Sequence, residues 1–203
     1  MSDMAAPAIL TVSGLSKRFG GFVALDNINL AVAPGERLGL IGPNGSGKST
    51  LVNCMCGTLQ NETGSIVFDR RPLDGLIAHE RTRLGLARSF QLPKPFHTLD
   101  LVDNLRVPLL YTVNARHGHR RHHMSARQVE ERCHDLLRQV GLGEKARRLP
   151  RDLTQIEMRK LELARAVATE PRLLFADEAM AGLSHAEIED ILAVLFRLNE
   201  QGI

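Results

Sequence analysis

The residues best equipped for chemistry run Gly42-Pro43-Asn44-Gly45-Ser46-Gly47-Lys48-Ser49-Thr50. A glycine, four intervening residues and then Gly-Lys-Ser is the spacing of the phosphate-binding P-loop. Glycine lets the backbone turn sharply and bring its N–H groups against a triphosphate with no Cβ in the way. The helix that follows adds a partial positive charge, Lys48 a full one, and Ser49 a hydroxyl ligand for Mg²⁺. A Gly/Ser/Asn turn could match this spacing by chance. The setting argues otherwise, because the apolar run 38–41 reads as a buried strand and 48–56 as a helix. The chain is expected to bind a nucleoside triphosphate.

A second cluster closes the apolar run Leu173-Leu174-Phe175-Ala176 with Asp177 and Glu178. Four apolar residues predict a buried parallel strand, whose C-terminal end is where α/β sheets bind ligands. Asp177 is then placed to hold Mg²⁺ opposite Ser49, and Glu178 to orient or deprotonate an attacking water. The bland alternative is a strand ending in a solvated acidic turn. Downstream of a P-loop, the chemical reading is preferred. Phe19 stands in a Gly-flanked loop, in a chain with only seven Phe and one Tyr. It either stacks on a purine or ends a strand in the core, and sequence order leaves both open.

The elements that must position these groups follow from periodicity. Strands are predicted at 9–13 and 27–32 from alternation, with Pro34-Gly35 as a turn. Further strands are expected at 65–68 and 84–90, the latter ending at Gln91. The stretch 93–168 changes texture: Pro93, Pro95 and Pro108 punctuate it, a helix is expected at 101–110, and another begins at Ser125 and stops at Gly141. A strongly helical pattern over 154–169 is stopped by Pro171. This middle portion reads as mainly helical and inserted into an α/β core.

Composition narrows the class. The chain has 203 residues, 43% hydrophobic and 24% charged, enough for a sizeable core. No apolar run reaches the roughly 18–20 residues that cross a bilayer, and the first residues lack the pattern of a signal peptide. A cytoplasmic protein is the expectation. Cys54, Cys56 and Cys133 fit reduced thiols rather than a disulfide framework. A formal net charge of +3 is too small to argue for nucleic acid. The stretch 116–127 holds four arginines and four histidines (His117, His119, His122, His123). Without carboxylate or cysteine partners or interleaved aromatics it reads as a solvated insertion loop rather than a metal, lipid or nucleic-acid site.

Taken together, Arg18-Phe19-Gly20-Gly21, the run 41–50, Asn53-Cys54, Ala87-Arg88-Ser89-Phe90-Gln91, Asp103-Asn104-Leu105, Leu161-Glu162-Leu163-Ala164-Arg165-Ala166 and Ala181-Gly182-Leu183 resemble the nucleotide-binding subunit of an ABC transporter. The likeness covers nearly the whole chain and is greatest to the ATPase subunits of branched-chain amino-acid importers and their urea and amide relatives. It implies a P-loop NTPase (RecA-like) α/β core with an N-terminal antiparallel β region and an inserted α-helical subdomain. The whole would be one ATP-binding domain over 8–203, its core at about 8–92 and 169–203 and its helical subdomain at about 93–168, without the C-terminal part such domains usually have. It gives Phe19 the place of the adenine-stacking aromatic, and Gln91 that of the glutamine that senses the γ-phosphate and ligates Mg²⁺. It also implies ATP and Mg²⁺ as ligands, transmembrane permease subunits as partners, and a homo- or heterodimer with a second ATP-binding subunit. The expected location is the cytoplasmic face of the inner membrane, peripherally bound.

The departures from that resemblance carry their own expectations. The family's signature, Leu-Ser-Gly-Gly-Gln, caps the γ-phosphate held by a partner chain, and it falls here on Leu153-Thr154-Gln155-Ile156-Glu157. Thr154 keeps a hydroxyl, Ile156 replaces a glycine, and Glu157 adds a charge. Repulsion between like charges at ~4 Å is roughly 4 kcal/mol at an effective dielectric of 20, so Glu157 is expected to weaken the cap unless it points away. Ala179 replaces a usual proline, Ser184 a common aspartate, and the chain stops before the strand that brings the switch histidine. Either the sequence is a fragment or the protein hydrolyses poorly alone. The leading expectation is an ATP-hydrolysing subunit of an importer for branched-chain amino acids or a similar small polar solute. The alternatives are a nucleotide-gated, weakly hydrolysing subunit that relies on a partner's signature, a lipopolysaccharide-export ATPase, and, least fitting, a soluble P-loop kinase.

Overall fold

The computed structural model describes residues 7–89, 93–116, 124–176 and 182–203. The chain divides into two compact units, Met1–Arg81 with Gly202–Ile203, and Thr82–Gln201.

In the first unit, β1 (Leu10–Phe19) and β2 (Phe22–Val32) form a long antiparallel hairpin. Strands β3 (Thr63–Phe68) and β4 (Arg71–Pro72) complete a sheet of order β2-β1-β3-β4. Both hairpin strands run further than their alternation predicts, because the register shifts repeatedly along them. Between Val12 and Leu15 the pairing slips, with Gly14 at φ 62° and its N–H donating to the Asn29 side chain at 2.9 Å. That bulge moves the inward set from even positions (Leu10, Val12) to an odd one (Leu15), and all three are fully buried. Helix α1 (Lys48–Cys56) buries Leu51, Val52, Cys54 and Met55.

The C-terminal end of α1 is braced by a buried cation. Arg81, on α2 (Ala78–Leu84), is only 3% exposed. Its Nη1 donates to the carbonyls of Cys54 (2.7 Å) and Met55 (3.0 Å), Nη2 to Leu73 (3.0 Å) and Nε to Leu76 (2.9 Å). A cation at helix-terminal carbonyls is electrostatically favourable, and hydrogen bonds offset its desolvation. Burial still pulls the guanidinium below its ordinary pKa.

One expectation fails here. The run 38–41 is not a buried strand: Leu38, Leu40 and Ile41 are 54%, 45% and 95% exposed. A strand needs a neighbour's backbone groups, and among the described residues of this unit the four sheet strands pair only with each other.

The second unit carries a parallel pair, β5 (Leu86–Ser89) and β6 (Leu173–Ala176), in register Leu86↔Leu173 to Ser89↔Ala176. The strand expected over 84–90 thus starts later, since Leu84 closes α2, a helix the sequence reading missed. β6 is parallel as expected but half-buried, with Ala176 exposed, because one neighbouring strand covers it among the described residues. The helices of this unit are α3 (Leu101–Arg116), α4 (Ala126–Gln139), α5 (Gln155–Val167) and α6 (His185–Glu200); α5 packs against both strands, and α3 and α4 pack against α5 and each other. Helix α4 starts at a reciprocal Ser125–Gln128 capping box and buries Val129, Cys133, Leu136 and Leu137. Asn104 is wholly buried on α3, its amide nitrogen donating to the carbonyls of Phe96, Leu99 and Asp100. No described helix is long and apolar enough to cross a membrane.

Candidate functional site

The loop 42–47 owes its shape to backbone that only glycine adopts readily. Gly45 and Gly47 have φ of 82° and 90°, left-handed conformations of the kind that build anion-binding nests, while the Ser46 N–H between them donates to the Pro43 carbonyl at 3.2 Å. Gly47 is also the N-cap of α1 and has no side chain to close the helix. The unpaired first-turn N–H groups of α1 and its positive dipole end are therefore left to an anion. Close approach fixes the residue type as well, since a Cβ on Gly47 would stand 2.5 Å from the Ala24 carbonyl oxygen on β2.

Lys48 folds over this loop. Its ammonium donates to the carbonyls of Gly42 (2.6 Å) and Pro43 (2.7 Å) and reaches Ser46 Oγ at 3.5 Å. The only full charge in the loop is thereby held at its mouth by acceptors that an anionic ligand can outbid, because charge-assisted bonds to an anion are the stronger. Ser49 is exposed at the second position of α1 and Thr50 half-buried, while Pro43, Asn44, Gly45 and Ser46 are all exposed. The arrangement fits a polyphosphate, and an exposed hydroxyl in the first helical turn suits a hard divalent cation.

Phe19 and Phe22 pair across the Gly20-Gly21 turn at the hairpin tip, 50% and 62% exposed. The strand-end core alternative for Phe19 is therefore overturned. Lys17 Nζ lies 5.5 Å from the centre of its ring. Phe22 is two residues along β2 from Ala24, the residue whose carbonyl abuts Gly47.

In the second unit, Thr154 is the N-cap of α5, and its hydroxyl accepts from the Glu157 N–H at 3.4 Å. Gln155 is exposed and Ile156 half-buried at the first two helical positions. Glu157 does not stand as an unscreened charge. Its carboxylate accepts from the Thr154 N–H at 2.9 Å and forms an ion pair with Lys145 at 2.7 Å. Those hydrogen bonds, that from Lys145 foremost, hold the carboxyl below its ordinary range. Lys145 lies twelve residues upstream, and no local pattern marks it in the sequence. Gln91, Asp177, Glu178, Ala179 and Ala181 lie outside the described residues, as do His117, His119, His122 and His123.

A family model described as "ABC transporter" matches residues 25–181. The high-affinity branched-chain amino acid transport ATP-binding protein BraF of Pseudomonas aeruginosa is 36% identical over 205 residues, covering 95% of this chain and 78% of the relative. The corresponding protein LivG of Escherichia coli is 34% identical over 195 residues, covering 90% and 74%. The crystal structure of the ADP conformation of MJ1267, an ATP-binding cassette of an ABC transporter, superimposes with a TM-score of 0.82 at 28% identity, covering 97% of this chain and 78% of that one. The chain belongs to the ABC transporter family, with the mixed α/β fold of its ATP-binding cassettes.

Proposed function

We propose that this chain is an ATP-binding and ATP-hydrolysing subunit that energises an ABC importer, with branched-chain amino acids or a similar small polar solute as cargo. The observation that carries the reading is the loop 42–47, with Gly45 and Gly47 in left-handed conformations, an uncapped α1 N-terminus and Lys48 over its mouth. The names of the relatives BraF and LivG support the class of cargo.

The proposed site takes Phe19 for the adenine face and 42–50 for the phosphates, within a single ATP-binding domain over 8–203. Lys48 and the backbone N–H groups bind and orient the β- and γ-phosphates. Ser49, Asp177 and Gln91 would hold Mg²⁺, which supplies charge neutralisation at the phosphate oxygens when bound. Glu178 accepts the proton of the attacking water, and residues 154–157 meet the nucleotide held by a second ATP-binding chain. Permease subunits at the inner membrane would place this chain peripherally on the cytoplasmic face.

Calorimetric titration with ATP tests the binding half of the proposal. Lys48→Ala should abolish tight binding, and an unchanged dissociation constant refutes the site. Phosphate release by the permease-bound protein tests the chemistry. Glu178→Gln should bind ATP as the parent does and lose turnover, and equal turnover would show that another group activates the water.

A further inference from the structure

Glu157 and Lys145 form an arrangement that the family resemblance does not supply. The carboxylate belongs to the first turn of α5, and the ammonium to the short 3₁₀ turn Gly143–Lys145. Both carboxylate oxygens are within 2.8 Å of Lys145 Nζ, and one also accepts from the Thr154 N–H. The pair is sheltered rather than free in solvent, the side chains being 39% and 21% exposed.

We infer that Lys145 is a positioning residue for the nucleotide contact of 154–157, holding the Glu157 carboxylate against the Gly143–Lys145 turn and cancelling its charge. The inference rests on the proposed reading of that stretch as the cap on a partner chain's phosphate. A carboxylate in the first turn of a helix is favoured by the helix dipole, so Glu157 stays ionised with or without its partner. Unpaired, it is a full negative charge beside the N–H groups of Gln155 and Ile156, which as first-turn groups have no intrahelical acceptor. Those N–H groups are what a phosphate would use. Paired with Lys145, the same carboxylate satisfies the Thr154 N–H and leaves the terminus with no net charge from its own side chains. Glu157 thereby keeps its capping role without opposing an anion.

The test is nucleotide-dependent dimerisation of the full chain, followed by sedimentation velocity with a non-hydrolysable ATP analogue and Mg²⁺. Lys145→Met should weaken the dimer at least fivefold, more at low salt than at high, while ATP affinity of the single chain stays unchanged. Lys145→Arg keeps the ion pair and should behave as the parent. Adding Glu157→Gln to Lys145→Met should return the dimer to within twofold of the parent, since the unpaired charge is gone. Gln155→Asp places a carboxylate on the exposed first helical residue and should block the dimer, which tests the reading itself. A parent-like dimer in Lys145→Met alongside a blocked Gln155→Asp overturns the role of Lys145 alone. A defect in Lys145→Met that Glu157→Gln does not rescue overturns it too. Parent-like behaviour of both variants, or a parent that does not dimerise with nucleotide, overturns the reading of 154–157 and the inference with it.

Discussion

Replacing Gly47 with alanine separates backbone geometry from charge, because Lys48 keeps its ammonium. The added Cβ would stand 2.5 Å from the Ala24 carbonyl oxygen and 3.0 Å from Leu25 Cδ2. Ordinary contact starts near about 3.5 Å, so the start of α1 has to retreat from β2 by about 1 Å. The residue must also hold φ at 90°, where a side chain is strained. Strain of this kind costs about 1–3 kcal/mol, and the retreat carries the phosphate-facing N–H groups away with it. If the whole cost appears in binding, the dissociation constant for ATP rises by about 5- to 150-fold. Gly45→Ala provides the comparison, because Gly45 has φ 82° but open space around its Cβ position. It carries the conformational cost without the collision and should lose less affinity than Gly47→Ala. Calorimetry well below the melting temperature, with a melt of each variant, reads both. An unchanged dissociation constant and melting temperature in Gly47→Ala would refute the steric argument, and so would equal losses in the two variants.

Other expectations concern the fold and its titrating groups. Arg81→Met strips charged donors from the carbonyls of Cys54, Met55, Leu73 and Leu76 and should cost at least about 3 kcal/mol, a fall of roughly 6–12 °C in melting temperature. A loss below about 1 kcal/mol would show that water replaces the guanidinium. Cys133 is fully buried and its thiol is pushed up to about 11 by desolvation, and burial raises Cys54 as well. Half-exposed Cys56 should therefore be the first cysteine alkylated near neutral pH, as peptide mapping would show. Glu157 has a depressed carboxyl, so its stabilisation is present above the ordinary carboxylate range and is lost as pH falls through the lowered folded value. Stability curves of the parent and Glu157→Gln should converge in acid, and a constant gap down to about pH 2 would contradict the ion pair.

The sequence disclosed most where a local rule acts alone. The glycine loop and the start of α4 at Ser125 depend on neighbours a few residues away, and both are present. What it hid was set by distant partners. The run 38–41 has strand-like composition, but whether it pairs depends on a neighbouring strand that composition cannot reveal, and it stands exposed. The inward face of β1 changes sides at a bulge, which breaks the alternation used to find strands. Glu157 carries a formal charge in the sequence, and the lysine that cancels it comes from another turn. Arg81 sits in a polar segment with no sign of burial, because its acceptors are main-chain carbonyls that every sequence has. Sequence order leaves open whether Phe19 ends a strand in the core, and only the solvent-facing hairpin tip excludes that.

The bracing of α1 by Arg81 also bears on how this chain can drift over generations. All four acceptors of its guanidinium are main-chain carbonyls. Exchange of the side chain at Cys54, Met55, Leu73 or Leu76 leaves the acceptor in place as long as the backbone path survives. Tolerance is therefore spread over four positions, while dependence is concentrated on one. A lineage that loses the arginine loses every bond of the brace in a single step. No compensating change at the acceptor positions can restore it, because those positions contribute nothing of their own side chains to the contact.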